Sequence, residues 1–347
     1  MTTEKVFLLN YKKTVAANNV IVSFAAFVVV IAGMKASTEI LVPFLLAVFI
    51  AVLCTPLMVW LKVRKVPSSL AVLLVVVMFF LLAATFGTVI GASLSAFYQD
   101  LPDYEQKLQL QSQAGVSWLK GMGVEVDQSI IRDYINPSAA MKMVAQVFSG
   151  LGGVLTNAFL ILFSVVFILV EASDFPDKVR RALGHQTTAL ESFQRFSDSV
   201  QRYLLIKTLI SIGTGIFAGV ALALIGVDYA VLWGLIAFLL NYIPNIGSIL
   251  AAIPPMLIAM IQLGPMSSLL VAGVYVTINT LFGNVIEPRF MGRSLGLSTL
   301  VVFVSLIFWG WVFGPVGMLL SIPLTMVVKI ALEGSKQHHW MSVLLGH

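Results

Sequence analysis

The apolar stretches of this chain are long and nearly free of charge, and this constrains the solvent in which it can fold. Between Tyr203 and Ile286 only Lys207 and Asp228 are charged, and Leu300–Val328 carries no charge at all. A helix that crosses a bilayer needs about 20 mostly apolar residues. Runs of this kind recur from end to end. The hydrophobic fraction is 59%, the charged fraction 11% and the mean hydropathy +0.97. Soluble domains hold roughly 45–50% apolar and about 25% charged residues, so this chain has too little charge to coat a globule. A soluble enzyme, a disordered chain and a disulfide scaffold are excluded. A transmembrane β-barrel would show alternating segments of about ten residues instead of unbroken apolar runs. The chain reads as an all-α polytopic membrane protein.

Five spans follow from the runs: Val15–Met34, Ile40–Leu61, Val66–Tyr98, Met143–Val170 and Tyr203–Gly226. Lys5, Lys12 and Lys13 precede the first, but no small-residue cleavage site follows it, so it reads as a retained span. The net charge of +5 sits in short links between spans. It therefore speaks of orientation in a membrane and not of nucleic acid. Lys62, Arg64 and Lys65 crowd one link; Lys178, Arg180, Arg181, Arg195 and Arg202 crowd another. Both links and both termini are expected in the cytoplasm. Gln99–Lys142 then lies outside, with Asp100, Asp103, Glu105, Glu125, Asp127 and Asp133 outnumbering Lys107, Lys120, Arg132 and Lys142. Asn136-Pro137-Ser138 predicts a helix stop and restart. In the second basic link Val179, Leu183, Leu190, Phe193, Phe196 and Val200 recur at helical spacing, which predicts an amphipathic helix on the membrane or against a neighbour. The expected organisation is a three-span region over 1–98, an extracytoplasmic helical loop over 99–142, a fourth span over 143–170, a cytoplasmic linker over 171–202 and a transport core over 203–347.

The core breaks the rules of ordinary spans. Tyr229–Gln262 is too long for one crossing and is interrupted by Asn241-Tyr242-Ile243-Pro244-Asn245-Ile246-Gly247-Ser248. Pro244 removes a backbone donor and clashes with the preceding turn. If this segment goes in and returns, Gly264-Pro265 lies outside and Arg289 and Arg293 lie inside, as the positive-inside tendency demands. Each arm is short of a full span, so a re-entrant hairpin is the preferred reading. Leu300–Val328 repeats the pattern: Gly310, Gly314-Pro315 and Gly317 interrupt it, and Lys329 and Lys336 follow. Seven to eight membrane helices result, with broken or re-entrant hairpins in the C-terminal half. Broken backbone at membrane depth is tolerated only inside protein or beside a water-filled cavity. Paired interrupted segments therefore point to a substrate path.

Polar side chains near the breaks are the candidate site. Asn241, Tyr242, Pro244, Asn245, Ser248, Asn279 and Asn284 are expected along the path. Glu287, Arg289 and Arg293 are expected at its gate or at an ion-coupling site, with Glu287 paired to Arg289 or Arg293. Asn279, Gly283 and Glu287 are spaced by four and share one helix face. Lys207 is expected to snorkel to the cytoplasmic surface. Gly215 with Gly219, and Gly87 with Gly91, read as close-packing faces. Cys54, the only cysteine, reads as a small buried side chain. There is no phosphate-cradling Gly-x-x-x-x-Gly-Lys-Ser/Thr, no His-Glu-x-x-His, no cysteine pair and no nucleophile elbow. His185, His338, His339 and His347 are scattered. No catalytic constellation, metal site or cofactor site is expected, and facilitated or ion-coupled transport remains.

Three motifs carry a family resemblance. Asn241 through Ser248, Glu287-Pro288-Arg289-Phe290-Met291-Gly292-Arg293-Ser294-Leu295-Gly296-Leu297-Ser298, and Phe308 through Gly317 to Pro323 each resemble hallmarks of the autoinducer-2 exporter family. Ile40-Leu41-Val42-Pro43-Phe44 and the Asn136-Pro137 turn extend the similarity over most of the chain. The resemblance implies a bacterial inner-membrane protein that exports autoinducer-2, a small polar furanone-type quorum signal; the missing phosphate-cradling loop speaks against direct ATP drive. It implies a homo-oligomer, a pentamer by analogy, held in the lipid bilayer. Some relatives are described as sodium or lithium–proton antiporters, a role that would fall to Glu287 or Asp228 here. A membrane scaffold that carries nothing is the third reading.

Overall fold

The computed structural model describes residues 24–122, 157–172, 187–244, 246–291 and 297–333, together with Val22 and Lys178. The Asn136–Pro137 turn, Asn245 and Arg293 lie outside the described residues, as do Val179 and Leu183 of the amphipathic linker. Every described element is helical. α1 (Phe24–Ala36) turns at Ser37 into α2 (Thr38–Val63). α3 (Ser68–Gly121) and α4 (Ala158–Ala172) follow, then α5 (Thr187–Ile225), α6 (Ala230–Leu240) and α7 (Gly247–Leu263). α8 (Pro265–Ile278) passes into a π-helical segment (Asn279–Ile286) and then α9 (Glu287–Met291), and α10 (Thr299–Leu319) and α11 (Ser321–Glu333) close the chain. Among the described residues five helical stretches are long and apolar enough to cross a membrane, and five shorter apolar helices accompany them.

At two expected boundaries the helix runs on without a break. α3 continues past Tyr98 through Pro102 into the segment read as a loop. The amphipathic linker and span five form one uninterrupted helix from Thr187 onward, so that part of the linker is not a separate surface element.

The expected hairpin is present. α6 and α7 have 11 and 17 residues, and residues 241–244 begin the turn between them. At about 1.5 Å per residue both fall short of the roughly 30 Å hydrocarbon core. The feet are tied together: the Asp228 amide donates to Gln262 Oε1 at 3.0 Å, and Gln262 Nε2 donates to the Gly226 carbonyl at 3.1 Å. The hairpin therefore returns to the end from which it started. Its tip is sharp because Gly247 leaves space for backbone; a Cβ there would fall 1.9 Å from the Leu240 carbonyl oxygen.

The last segment doubles back by the same device. Gly314 adopts φ 67°, ψ −149°, beyond the reach of ordinary residues, and breaks α10 before Pro315. A Cβ on Gly317 would fall 1.9 Å from the Trp309 carbonyl oxygen. Trp309 Nε1 donates to Thr325 Oγ1 at 3.0 Å across the two arms.

The main core lies between α3, α5, the first hairpin and α8, with Trp233, Leu232, Leu222, Ile258 and Phe97 fully buried. Gly215, Gly219 and Gly234 let α5 and α6 meet backbone to backbone; a Cβ on Gly234 would fall 2.7 Å from the Gly215 carbonyl. The expected Gly215–Gly219 packing face is thus real. Gly91 is different: within the chain nothing described stands within 4 Å of its would-be Cβ. A second cluster joins α2, α3 and α4 around Ala47, Val75 and Val165, and it holds the buried Cys54.

Candidate functional site

α5 carries a polar stripe on its inner face. Lys207, Ser211 and Thr214 are 3%, 0% and 5% exposed. Their spacing of four and three puts them on one side of a helix. Polar groups so placed need partners, because a buried unpaired charge is costly.

Lys207 finds its partner 80 residues away. Its Nζ lies 2.7 Å from Glu287 Oε1 and 2.8 Å from Oε2, gripping both oxygens. This corrects two expectations. Lys207 does not snorkel, because Glu287 offers an internal counter-charge within reach. Glu287 does not pair with Arg289, which is exposed two residues further along the helix. Glu287 and Arg289 stand two residues apart in one helix, so their side chains diverge.

The hairpin tip docks on the adjoining turn of α5, at Thr208 and Ser211. Asn241 Nδ2 donates to Ser211 Oγ at 2.9 Å, and Tyr242 Oη donates to Thr208 Oγ1 at 2.7 Å. Thr208 in turn donates to the Leu204 carbonyl at 2.7 Å. Phe49 of α2 meets the Tyr242 ring edge-on at 5.6 Å, and Tyr203 is buried nearby. Pro244 and Ser248 are half-buried at the tip.

The segment that delivers Glu287 is wound as a π-helix from Asn279 to Ile286. π-Winding is rare and frequent at functional sites. Asn279 is half-buried, its Oδ1 lying 3.1 Å from where a Gly283 Cβ would stand, while Asn284 is exposed. The structure therefore brings Asn241, Tyr242 and Glu287 onto the α5 stripe and leaves Asn284 and Arg289 off it. Lys207, Thr208, Ser211 and the π-winding complete the site, and sequence reasoning missed them. Their signal was the spacing of Lys207, Ser211 and Thr214.

Asp228 sits at the opposite end. Its Oδ2 accepts from Tyr104 at 2.6 Å, its carbonyl accepts from Trp233 Nε1 at 2.9 Å, and neighbouring Tyr229 donates to Asp100 Oδ2 at 2.6 Å. Gln111 of α3 adds a bond to the Ile261 carbonyl at 3.1 Å. This network ties α3 to the feet of the hairpin. Among the described residues no group of three or more His, Cys, Asp or Glu side chains is placed to hold a metal ion.

Comparison with known proteins gives a consistent result. The family model described as AI-2E family transporter matches residues 24–337. The chain is 42% identical over 326 residues to the AI-2 transport protein TqsA of Escherichia coli K12, covering 94% of this chain and 95% of that protein. It is 35% identical to the putative transport protein YhhT of the same organism, covering 94% of each. It is 39% identical to a putative transport protein of Haemophilus influenzae, covering 94% of this chain and 95% of the other.

Proposed function

We infer the function from a fixed premise: this chain belongs to the AI-2E family of transporters. It is a multi-pass membrane transport protein. Our reading is that it exports autoinducer-2 across a bacterial inner membrane by a non-ATP mechanism, as a homo-oligomer with both termini in the cytoplasm. The observation that carries the mechanism is the docking of a broken hairpin tip on a buried polar stripe, through Asn241 on Ser211 and Tyr242 on Thr208. Amide and hydroxyl groups both donate and accept, so they suit a polyhydroxylated neutral solute. The 42% identity to an AI-2 transport protein supports that substrate. The Lys207–Glu287 pair then acts as the gate beside the tip. With its charges cancelled, it lets a neutral molecule pass without attracting ions.

A specific observation favours a second reading, cation–proton antiport. Glu287 is a largely buried carboxylate with a protonatable partner, as exchange of a cation for a proton requires. Asp228 does not serve that reading, since its bonds anchor the hairpin.

The test is efflux of labelled autoinducer-2 from proteoliposomes, with and without a sodium gradient, for the wild type and Glu287→Gln. The exporter reading expects efflux in the wild type that is indifferent to sodium and slowed in the variant. Antiport expects sodium-dependent proton movement that the variant abolishes. A scaffold shows neither in either protein.

A further inference from the structure

An apolar groove runs along α1 beside α10. Phe27, Val28, Ile31 and Ala32 of α1, with Phe308 and Trp311 of α10, enclose about 480 Å³, a ligand-sized volume. Ile31 is buried at its floor, while Phe27, Val28 and Trp311 stay exposed. Lys35 closes one end, its Nζ standing 4.0 Å from the centroid of the Trp311 ring. From Lys35 to Phe27 the groove follows α1 for about 12 Å, most of one leaflet's roughly 15 Å of hydrocarbon. The turn at Ser37 is fastened beside it, because Thr38 Oγ1 donates to the Val312 carbonyl at 3.4 Å.

α2 sets the level of Lys35 in the bilayer. Its 26 residues, about 39 Å long, separate the Lys35–Trp311 pair from a matching pair, Arg64 over Trp60 at 4.1 Å. That length spans the roughly 30 Å hydrocarbon core and part of each headgroup layer, where tryptophan gathers. Lys35 therefore stands at headgroup level, with the groove leading from it into hydrocarbon. Glu39, in the first turn of α2, shares that level. Lys35 and Glu39 are both exposed, and neither enters an ion pair among the described residues.

We propose that the groove holds one acyl chain of an aminophospholipid, in the leaflet opposite the Lys62–Lys65 link, with the lipid phosphate on Lys35 and its primary ammonium on Glu39. The two unpaired charges select the headgroup. A glycerol headgroup brings the phosphate but no cation for Glu39. A choline headgroup brings a cation with no N–H to donate. A primary ammonium has three donors, and charge-assisted bonds are the strong ones. Free phosphate or a soluble amine leaves the apolar groove unfilled, whereas an acyl chain covers it. A chain seated there ties α1 to the first arm of the second hairpin.

The test uses the full-length protein in bilayers of phosphatidylcholine. Phospholipids with brominated acyl chains, which quench tryptophan on contact, are added at rising mole fraction. The signal of Trp311 is the difference between the wild type and Trp311→Phe. Brominated phosphatidylethanolamine should quench it saturably, at a mole fraction about tenfold lower than brominated phosphatidylglycerol or phosphatidylcholine. Lys35→Gln should weaken the saturable quenching about tenfold, and Lys35→Arg should keep it. Glu39→Gln should remove the preference for ethanolamine over glycerol. Ala32→Phe, from an exposed position, should fill the groove and abolish the saturable component of the total fluorescence, so the result does not depend on Trp311→Phe folding. Quenching that simply follows mole fraction, equally for all three lipids, overturns the proposal. So does equal saturation by the glycerol and ethanolamine lipids. Trp311 that no lipid quenches also overturns it, since a second copy then covers the groove.

Discussion

Lys207 is the one Lys, Arg, Asp or Glu side chain that is buried among the described residues, and its bond to Glu287 holds α5 to the end of the π-helical segment. The side chains are 4% and 22% exposed. Removing one member of such a pair strands the other charge, at a cost of about 3–5 kcal/mol; replacing both with apolar groups of similar volume is often neutral or better. Lys207→Met should therefore lower the unfolding temperature and the yield of folded protein sharply. Lys207→Met combined with Glu287→Leu should recover most of that stability but not the transport rate. A double variant with wild-type flux per folded molecule would reduce the pair to a structural tie. The residue types at this site were legible in the sequence, but the pairing was not. A lysine one turn inside a span ordinarily reaches for the surface, and its partner stands 80 positions away. Only the fold brings Glu287 closer than the water.

At the scale of elements, glycine placement decides where the chain can double back. Gly247 and Gly317 press against the Leu240 and Trp309 carbonyls, and each would-be Cβ falls 1.9 Å from oxygen. Neither contact is with a flexible side chain, so the backbone itself must move to admit a methyl. Gly247→Ala should open the hairpin tip, break the Asn241–Ser211 and Tyr242–Thr208 bonds and abolish transport, with loss of folded protein on size exclusion. Gly91→Ala is the control: nothing described lies within 4 Å, and alanine gains up to about 1 kcal/mol of helix propensity. It should express and unfold like the wild type or slightly better. Pro244→Ala tests the break differently, because it restores a backbone donor while leaving Asn241 and Tyr242 in place. Transport should fall more than insertion or assembly, measured as flux per reconstituted molecule. The two hairpins were readable because Pro, Asn and Gly cluster inside apolar runs. The π-winding over Asn279–Ile286 was not, since no residue type marks a shift from i−4 to i−5 bonding. The continuity of α3 through Pro102 was also hidden, because a single proline is a probable boundary and not a certain one.

For the whole molecule, α5 serves as a ruler. From Lys207 to Ile225 it covers about 27 Å at about 1.5 Å per residue, close to the hydrocarbon thickness. The first hairpin has its feet at the Asp228 end. The second sits by the other end, where Ile322 and Met326 pack with Tyr203, Leu204 and Leu297. The two broken elements thus enter from opposite sides. α3 runs the length of the same ruler: Phe86 meets Phe238, Phe97 meets Tyr229, and Tyr104 reaches Asp228, so its start at Ser68 lies beyond the hairpin tip, toward Lys207. The structure therefore sorts charge by end. Arg202, Lys62, Arg64 and Lys65 gather at the Lys207 end, with Glu287 as the paired acid there; Asp100, Asp103, Glu105 and Asp228 gather at the other, with Lys107 among them. The positive-inside tendency assigns the Lys207 end to the cytoplasm. On a background with Cys54 replaced by alanine, Gln113→Cys, beyond the Gln111 bond to the hairpin foot, should react with an impermeant maleimide added to intact cells. Ser68→Cys, beside the basic link, should react only after permeabilisation. Both sites are exposed, so failure to label cannot be put down to burial within the chain. Labelling of Ser68→Cys in intact cells, with Gln113→Cys silent until permeabilisation, would invert the molecule. Glu287 would then gate the outer mouth of the path and not the inner one.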